Sequence, residues 1–426
     1  MMNVAERVAS NGVRVVAESL PFTKSASFCI WVGSGSSYER RGESGLSHFL
    51  EHMTFKGTRS RPSSLAVAEA VEGLGGSMNA FTRKESTCYV VKVPFDRAEA
   101  GFSVLVDMVE GSLFDPDQIA SERGVILEEI RMGKDQPAFW CQVLLERVLF
   151  GDTPLGRPIA GCEDVVADVE RDGLLAFRCE HYRSGSVVVS AAGHIDEDTV
   201  VGMAGGLGEM HHGEPSRPDE DLVKADQNRP VLVETRDGSQ VNVAIGFLGP
   251  GRHDERRFAL ALLGSALGRG MSSRLFQEIR VRQSLAYAVS SQYLSYVPVG
   301  YLSITAGVDS SRVEQFFRAI ASVLAEVRSR GFGDEEIQRA KDFVTGNTTL
   351  RMEDTMSRAL WLGETVIMDD PDRSVDQTIS EIQRVDPALI HESAGDLFTG
   401  DNCRVAVVGG LSQEGEDLAE SFLSQL

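Results

Sequence analysis

The 426-residue chain is 42% hydrophobic and 25% charged, the balance of an ordinary globular protein, and it is longer than a single hydrophobic core usually serves. With 42 basic against 63 acidic residues it carries a formal charge of −21, which disfavours nucleic acid and anionic lipid as partners and either favours basic peptides or serves solubility alone. It has no run of about 18 apolar residues that would span a membrane. Six scattered cysteines without a CxxC pair read as buried free thiols of a reducing compartment.

The opening stretch, MMNVAERVASNGVRVV, lacks the apolar run of a secretory signal and reads as the front of a strand, so a cytoplasmic location is expected. CIWVGSG (29–35) is an apolar run ending in Gly-x-Gly. GLSHFLEHMTFKG (45–57) follows, with the helical period. At 100° per residue, Glu51 falls about 60° to one side of His48 and His52 about 40° to the other, while Leu46, Leu50 and Met53 gather on the opposite face. Two imidazoles four residues apart can grip one metal ion, and a carboxylate one turn away can hold its water. Gly57 is the expected stop of this helix.

VAEAVEGLG (67–75) and FSVLVDMVEGSLF (102–114) are helical, and STCYVVKVP (86–94) between them is strand-like. A third ligand is sought in DPDQIASERGVILEEIRMG (115–133). Its helical phase sets Glu122 and Glu129 within one stripe with Ile119, Val125, Ile126 and Ile130, and turns Glu128 to the outer edge. Carboxylates in an apolar stripe are costly to bury unless something cationic meets them, which favours Glu129, with Glu122 behind it, over Glu128. Pairing of these glutamates with Arg123 or Arg131 is the alternative at this point.

SVVVSAAGHID (186–196) closes the first half, and the polar EMHHGEPSRPDEDLVKADQNRP (209–230) reads as a linker. His194 reads as a turn residue, and His211 and His212 as a chance pair. Beyond the linker, AIGFLGPG (244–251) and CRVAVVGGLS (403–412) repeat the two strand signatures of the first half. The separation of Gly33 from Gly193 is 160 residues, as is that of Gly249 from Gly409, which points to duplication. The expected organisation is α+β: two duplicated domains, each an antiparallel-rich mixed sheet packed with helices, over 1–208 and 231–426. FALALLGSALGRG (258–270) offers no ligand, so the metal chemistry belongs to the first domain. GSGSS (33–37) and GRGMSS (268–273) are glycine-rich but lack the spacing of a phosphate loop.

HxxEH, then 76 residues, then Glu129 resembles the pitrilysin/insulysin family of zinc peptidases, close to bacterial relatives of mitochondrial processing peptidase. GGSMNAFTRKESTCY (75–89), GDTPLGRPIAGCEDV (151–165) and MSSRLFQEIRVRQSLAYAV (271–289) extend the resemblance over residues 4 to 410 or so. It implies one Zn2+ per chain held by His48, His52 and Glu129, with Glu122 as an accessory glutamate. It also implies Glu51 as general base to a zinc-bound water, and Arg280 and Tyr287, seven apart, as supports of the substrate carbonyl. A substrate strand near Gly76 to Ala80, including Asn79 and Ala80, is implied too, as is a homodimer whose active sites are shared between two chains. The expected activity is endopeptidase cleavage of peptides or unfolded segments. The alternative is a non-catalytic assembly subunit, although such members typically lack part of the motif set retained here.

Overall fold

The structure, a computed structural model, describes residues 4–208, 213, 217, 220–223, 229–370, 374–411 and 414–426. His211, His212 and most of the 209–230 linker lie outside the described residues. The chain forms two compact units, one of residues 1–130, 157–220 and 349–375, the other of 131–156, 221–348 and 376–426.

In the first unit, β1 (Val4–Val8), β2 (Arg14–Ser19), β3 (Ser25–Val32), β4 (Ser77–Thr82), β5 (Thr87–Pro94) and β6 (Val187–Gly193) form a sheet in the order β1-β2-β6-β3-β5-β4. In the second, β7 (Val231–Thr235), β8 (Gln240–Pro250), β9 (Ala286–Ser295), β10 (Val299–Asp309) and β11 (Cys403–Gly409) run β7-β11-β8-β10-β9. From β2 onward the two orders correspond strand for strand. In each, one parallel pair (β2 with β6, β7 with β11) sits in an otherwise antiparallel sheet. The α+β fold and its duplication stand as the sequence indicates.

The repeat extends to single backbone positions. Gly193 and Gly409 end equivalent strands at φ 134° and 151°. A Cβ on the first would lie 2.3 Å from the Ser25 carbonyl oxygen, and on the second 2.6 Å from that of Gln240. Only glycine tolerates both the angle and the approach.

The domains are not the contiguous halves expected at the linker. Strands β3 and β6 are buried along almost their whole length, so both faces of the first sheet need covering. One face packs Phe28, Ile30 and Tyr89 against helices from the same half of the sequence, among them Ala98–Gly111 and Arg171–His181. The other face packs Cys29, Trp31 and Val188 under Ala359, Leu362 and Val366 of the helix Thr355–Ile367, far along the chain. Gly363 allows that contact, since a Cβ there would sit 2.1 Å from Trp31 Nε1. The second sheet is covered in the same manner by Leu144, Leu145 and Leu149 of the helix Pro137–Phe150. Each sheet thus takes one covering helix from the other half of the sequence. Periodicity shows that such a helix has an apolar face but not which sheet receives it.

All six cysteines are free thiols, but burial holds only for Cys29, Cys88, Cys141 and Cys403: contrary to expectation, Cys162 is half-buried and Cys179 is exposed. Among the described residues no helix is long and apolar enough to cross a membrane.

Candidate metal centre

The helix Leu46–Met53 buries Leu46, Phe49, Leu50 and Met53 in the first core, which fixes the rotation of its other face. The helix ends earlier than expected. Thr54 Oγ1 donates to the Glu51 carbonyl at 2.7 Å, and Gly57 shapes the following turn at φ 127°. At the other end Gly45 has φ 102° and provides no side-chain cap. Glu39 supplies the cap from a distance, accepting the backbone N–H groups of Gly45 at 2.8 Å and Ser47 at 2.7 Å. Arg157 in turn donates to the Glu39 carbonyl at 2.8 Å, and Gly161 lies so close to Gly45 that a Cβ on it would meet the Gly45 Cα at 2.5 Å. PLGRPIAG therefore braces the start of the histidine helix.

The imidazoles of His48 and His52 stand with ring centroids 4.5 Å apart. Glu129, on the helix Pro116–Asp135, reaches both, with Oε1 3.9 Å from His48 Nε2 and Oε2 3.7 Å from His52 Nε2. One ligand atom from each residue lies within 4.8 Å of the others, and among the described residues this is the single group of three or more such side chains. Ligands about 2.0–2.1 Å from a tetrahedral zinc are about 3.3 Å apart, so small rotamer adjustments bring these atoms onto one ion. Two imidazoles and one carboxylate leave the fourth position open, as in a catalytic site. The residues fit zinc.

Ile119, Ile126 and Ile130 are buried as the helical phase requires, with Glu122 among them. Val125, expected in the same stripe, is 50% exposed, and Glu129 at its margin is also exposed. Glu122 does not pair with Arg123. Its Oε1 meets His52 Nδ1 at 2.8 Å and its Oε2 meets Lys56 Nζ at 2.5 Å. Burial opposes its ionisation, but His52 and Lys56 together hold the carboxyl below its usual range. Burial, followed by the neighbouring His52, depresses His48 to about 3, which keeps that imidazole neutral as a ligand must be. Burial also lowers His52, but the Glu122 hydrogen bond and the surrounding carboxylates outweigh it and raise the ring above its ordinary value.

Glu51 is 8% exposed, contrary to an open helix face. Burial raises its carboxyl, and Thr82 Oγ1 opposes this by donating to Oε2 at 2.6 Å. Thr82 ends β4, the edge strand of its sheet, which also carries Asn79 and Ala80. Asn79 is exposed, and its Oδ1 accepts from the Ala80 N–H at 2.9 Å. Three residues that motif spacing misses emerge here: Glu39, Lys56 and Thr82. Each reaches the site through tertiary contacts between segments, so no local pattern announces it.

In the second unit, Arg280 belongs to a π-helical turn, Phe276–Arg282, a conformation often found at functional positions. Its guanidinium lies 4.9 Å from the ring centroids of both Phe276 and Tyr287, so the expected pair is in contact. Tyr287 is 82% exposed. His194 stacks on Phe95 with centroids 4.4 Å apart, which suits a turn residue. In GSGSS, the N–H groups of Ser36 and Ser37 are spent on the carbonyls of Arg83 and Lys84, so that loop is no phosphate cradle.

Comparison with known proteins identifies the family. Residues 14–163 match the family model described as Insulinase (Peptidase family M16), and residues 168–344 match Peptidase M16 inactive domain. The uncharacterized zinc protease SCO5738 of Streptomyces coelicolor is 36% identical over 409 residues, covering 95% of this chain and 89% of its own. The uncharacterized zinc protease YmxG of Bacillus subtilis is 34% identical over 391 residues, covering 92% and 95%. Among solved structures, a protease from Helicobacter pylori superposes with a TM-score of 0.89 at 19% identity, covering 96% of this chain and 100% of its own. The peptidase M16 inactive domain from Pseudomonas fluorescens gives 0.88 at 19% identity, with 96% and 99% covered. These structures share the fold, and the curated relatives carry the name zinc protease. The chain belongs to the insulinase family of peptidases, family M16.

Proposed function

We propose that the protein is a zinc-dependent endopeptidase acting on peptides or unfolded polypeptide segments, with one ion per chain. The convergence of His48, His52 and Glu129 on one point, with Glu51 on the next turn, carries this reading. When bound there, zinc acidifies water toward neutral pH and polarises a peptide carbonyl.

The chain's own residues do the rest. Thr82 engages Glu51 Oε2, which leaves Oε1 to take the proton of the attacking water and return it to the leaving nitrogen. Arg280 and Tyr287 of a second copy of the chain, in the shared site that the family resemblance implies, would have the donors to hold the carbonyl oxygen as negative charge develops on it. An extended substrate pairing with the edge strand β4 beside Asn79 and Ala80 would be bound through main-chain hydrogen bonds, which tolerate varied side chains. The charge of −21 favours basic segments.

Zinc content measured together with cleavage of an unstructured basic peptide tests the reading. One zinc per chain with Glu51-dependent cleavage is expected. A protein that binds zinc but cleaves no peptide would instead be the non-catalytic assembly subunit.

A further inference from the structure

Building on the zinc reading above, we propose that Lys56 is a positioning residue of the metal centre, clamping Glu122 so that the Glu122 carboxylate holds His52 with Nε2 turned to the ion. Both oxygens of Glu122 are committed to different neighbours, Oε1 to His52 Nδ1 at 2.8 Å and Oε2 to Lys56 Nζ at 2.5 Å. Its side chain is only 5% exposed, against 27% for Lys56. A carboxylate buried to that degree needs a charged or donating partner at each oxygen. By accepting at Oε1, Glu122 requires the His52 proton to be on Nδ1, so the lone pair falls on Nε2, the nitrogen that faces Glu129 at 3.7 Å.

The lysine reaches Glu122 from a fixed backbone. Lys56 N–H donates to the Met53 carbonyl at 3.1 Å, and the next carbonyl, of Gly57, accepts from Leu113 at 3.1 Å. Gly57 itself cannot carry a side chain, since its φ is 127° and a Cβ would lie 2.9 Å from the Pro62 carbonyl carbon. FKG after HFLEHMT is therefore a turn that aims one ammonium at the back of the ligand set. Without it, Oε2 would be buried with no cation and the carboxylate would be free to rotate away from the imidazole. His48 has no such support, because its Nδ1 is buried with no protein partner among the described residues. Outer support of the ligands is thus concentrated on the His52 arm.

The test is zinc affinity of the full chain, by competition with a chromogenic chelator, for wild type, Lys56→Met, Lys56→Arg, Glu122→Gln and the Lys56→Met/Glu122→Gln double variant. Lys56→Met should bind zinc about 10-fold more weakly, the lower end of the range for outer partners of metal ligands. Lys56→Arg should recover most of the loss, because it restores the cation. The double variant should bind no more weakly than Glu122→Gln alone, since Lys56 acts through Glu122. Affinity of Lys56→Met within about two-fold of wild type overturns the proposal, and so does a loss that simply adds in the double variant. If Lys56→Met does not fold, failure of Lys56→Arg to bind as wild type does while keeping its circular dichroism overturns it equally. A wild-type chain that takes up no zinc removes the metal reading itself, an outcome distinct from a wild type that binds and a Lys56→Met that binds equally well.

Discussion

Thr82 Oγ1 donates a 2.6 Å hydrogen bond to Glu51 Oε2, so the edge strand of the first sheet holds the carboxylate of the histidine helix. The proposed base is thereby kept in one orientation by the strand proposed to receive substrate. Thr82→Val should retain zinc and lose about 10–100-fold in kcat, the worth of a hydrogen bond to a charged group. Thr82→Ser, which keeps the hydroxyl, should remain near wild type. Glu51→Gln should also retain zinc and lose about 10²–10⁴-fold in rate. Substantial activity in Glu51→Gln would refute the general-base role.

The helical phase of Pro116–Asp135 separates two adjacent glutamates. Glu129 points to both histidines, whereas Glu128 is exposed and absent from the ligand group. His48→Ala and Glu129→Gln should each abolish stoichiometric zinc binding, measured by atomic absorption after dialysis, while Glu128→Gln should leave it intact. Zinc loss in Glu128→Gln with retention in Glu129→Gln would contradict the geometry.

Chelators should remove activity without unfolding the chain. The ligand-bearing helices are held by Leu46, Phe49, Leu50, Met53, Ile119, Ile126 and Ile130 in the core, so their packing does not depend on an ion. The far-UV circular dichroism of metal-free protein should match that of the loaded form. Collapse of the helical signal on chelation would show the metal to be structural.

The remote cap of the histidine helix makes stability depend on pH. Burial pushes Glu39 up to about 7 from 4.5, against the backbone hydrogen bonds from Gly45 and Ser47 that lower it. Between those values the folded chain binds more protons than the unfolded chain, so stability falls as pH rises through the window, by about 3 kcal/mol in total. Glu39→Gln cannot titrate, and its amide leaves one of the two backbone donors poorly matched, at a cost of about 1–3 kcal/mol. The stability advantage of wild type over Glu39→Gln should therefore shrink between pH 5 and pH 8, as read from urea midpoints. A widening gap would show that the fold favours the carboxylate.

What the sequence reveals and what it hides divide along local and non-local lines. HxxEH shows its histidine–glutamate face because period and residue type coincide within eight residues, and the duplicated strands show themselves through equal spacing of glycines. The covering helices 137–150 and 355–367 are recognisable as helices, but their destination depends on which sheet face is left bare, a property of the assembled unit. The burial of Glu51 and the partners Thr82, Lys56 and Glu39 likewise follow from how segments meet. Val125 fails in the opposite sense: its phase is right for the stripe, yet the core beneath the helix is narrower than the stripe is wide.

The chain has both the proposed zinc ligand set and the Arg280–Tyr287 contact, and the family resemblance implies a homodimer in which each active site combines the ligand set of one chain with the arginine–tyrosine pair of its partner. Two identical copies would then give two equivalent sites by two-fold symmetry. Glu51→Gln and Tyr287→Phe homodimers should each be weak, because every site has one defect. Refolded together at equal ratio, half the dimers are mixed, and each mixed dimer has one site with both residues intact, so about a quarter of wild-type activity should return. If the two residues act within one chain, every site in the mixture keeps a defect and nothing returns. Sedimentation of the wild-type chain as a monomer would dispose of the shared site before any mixing is done.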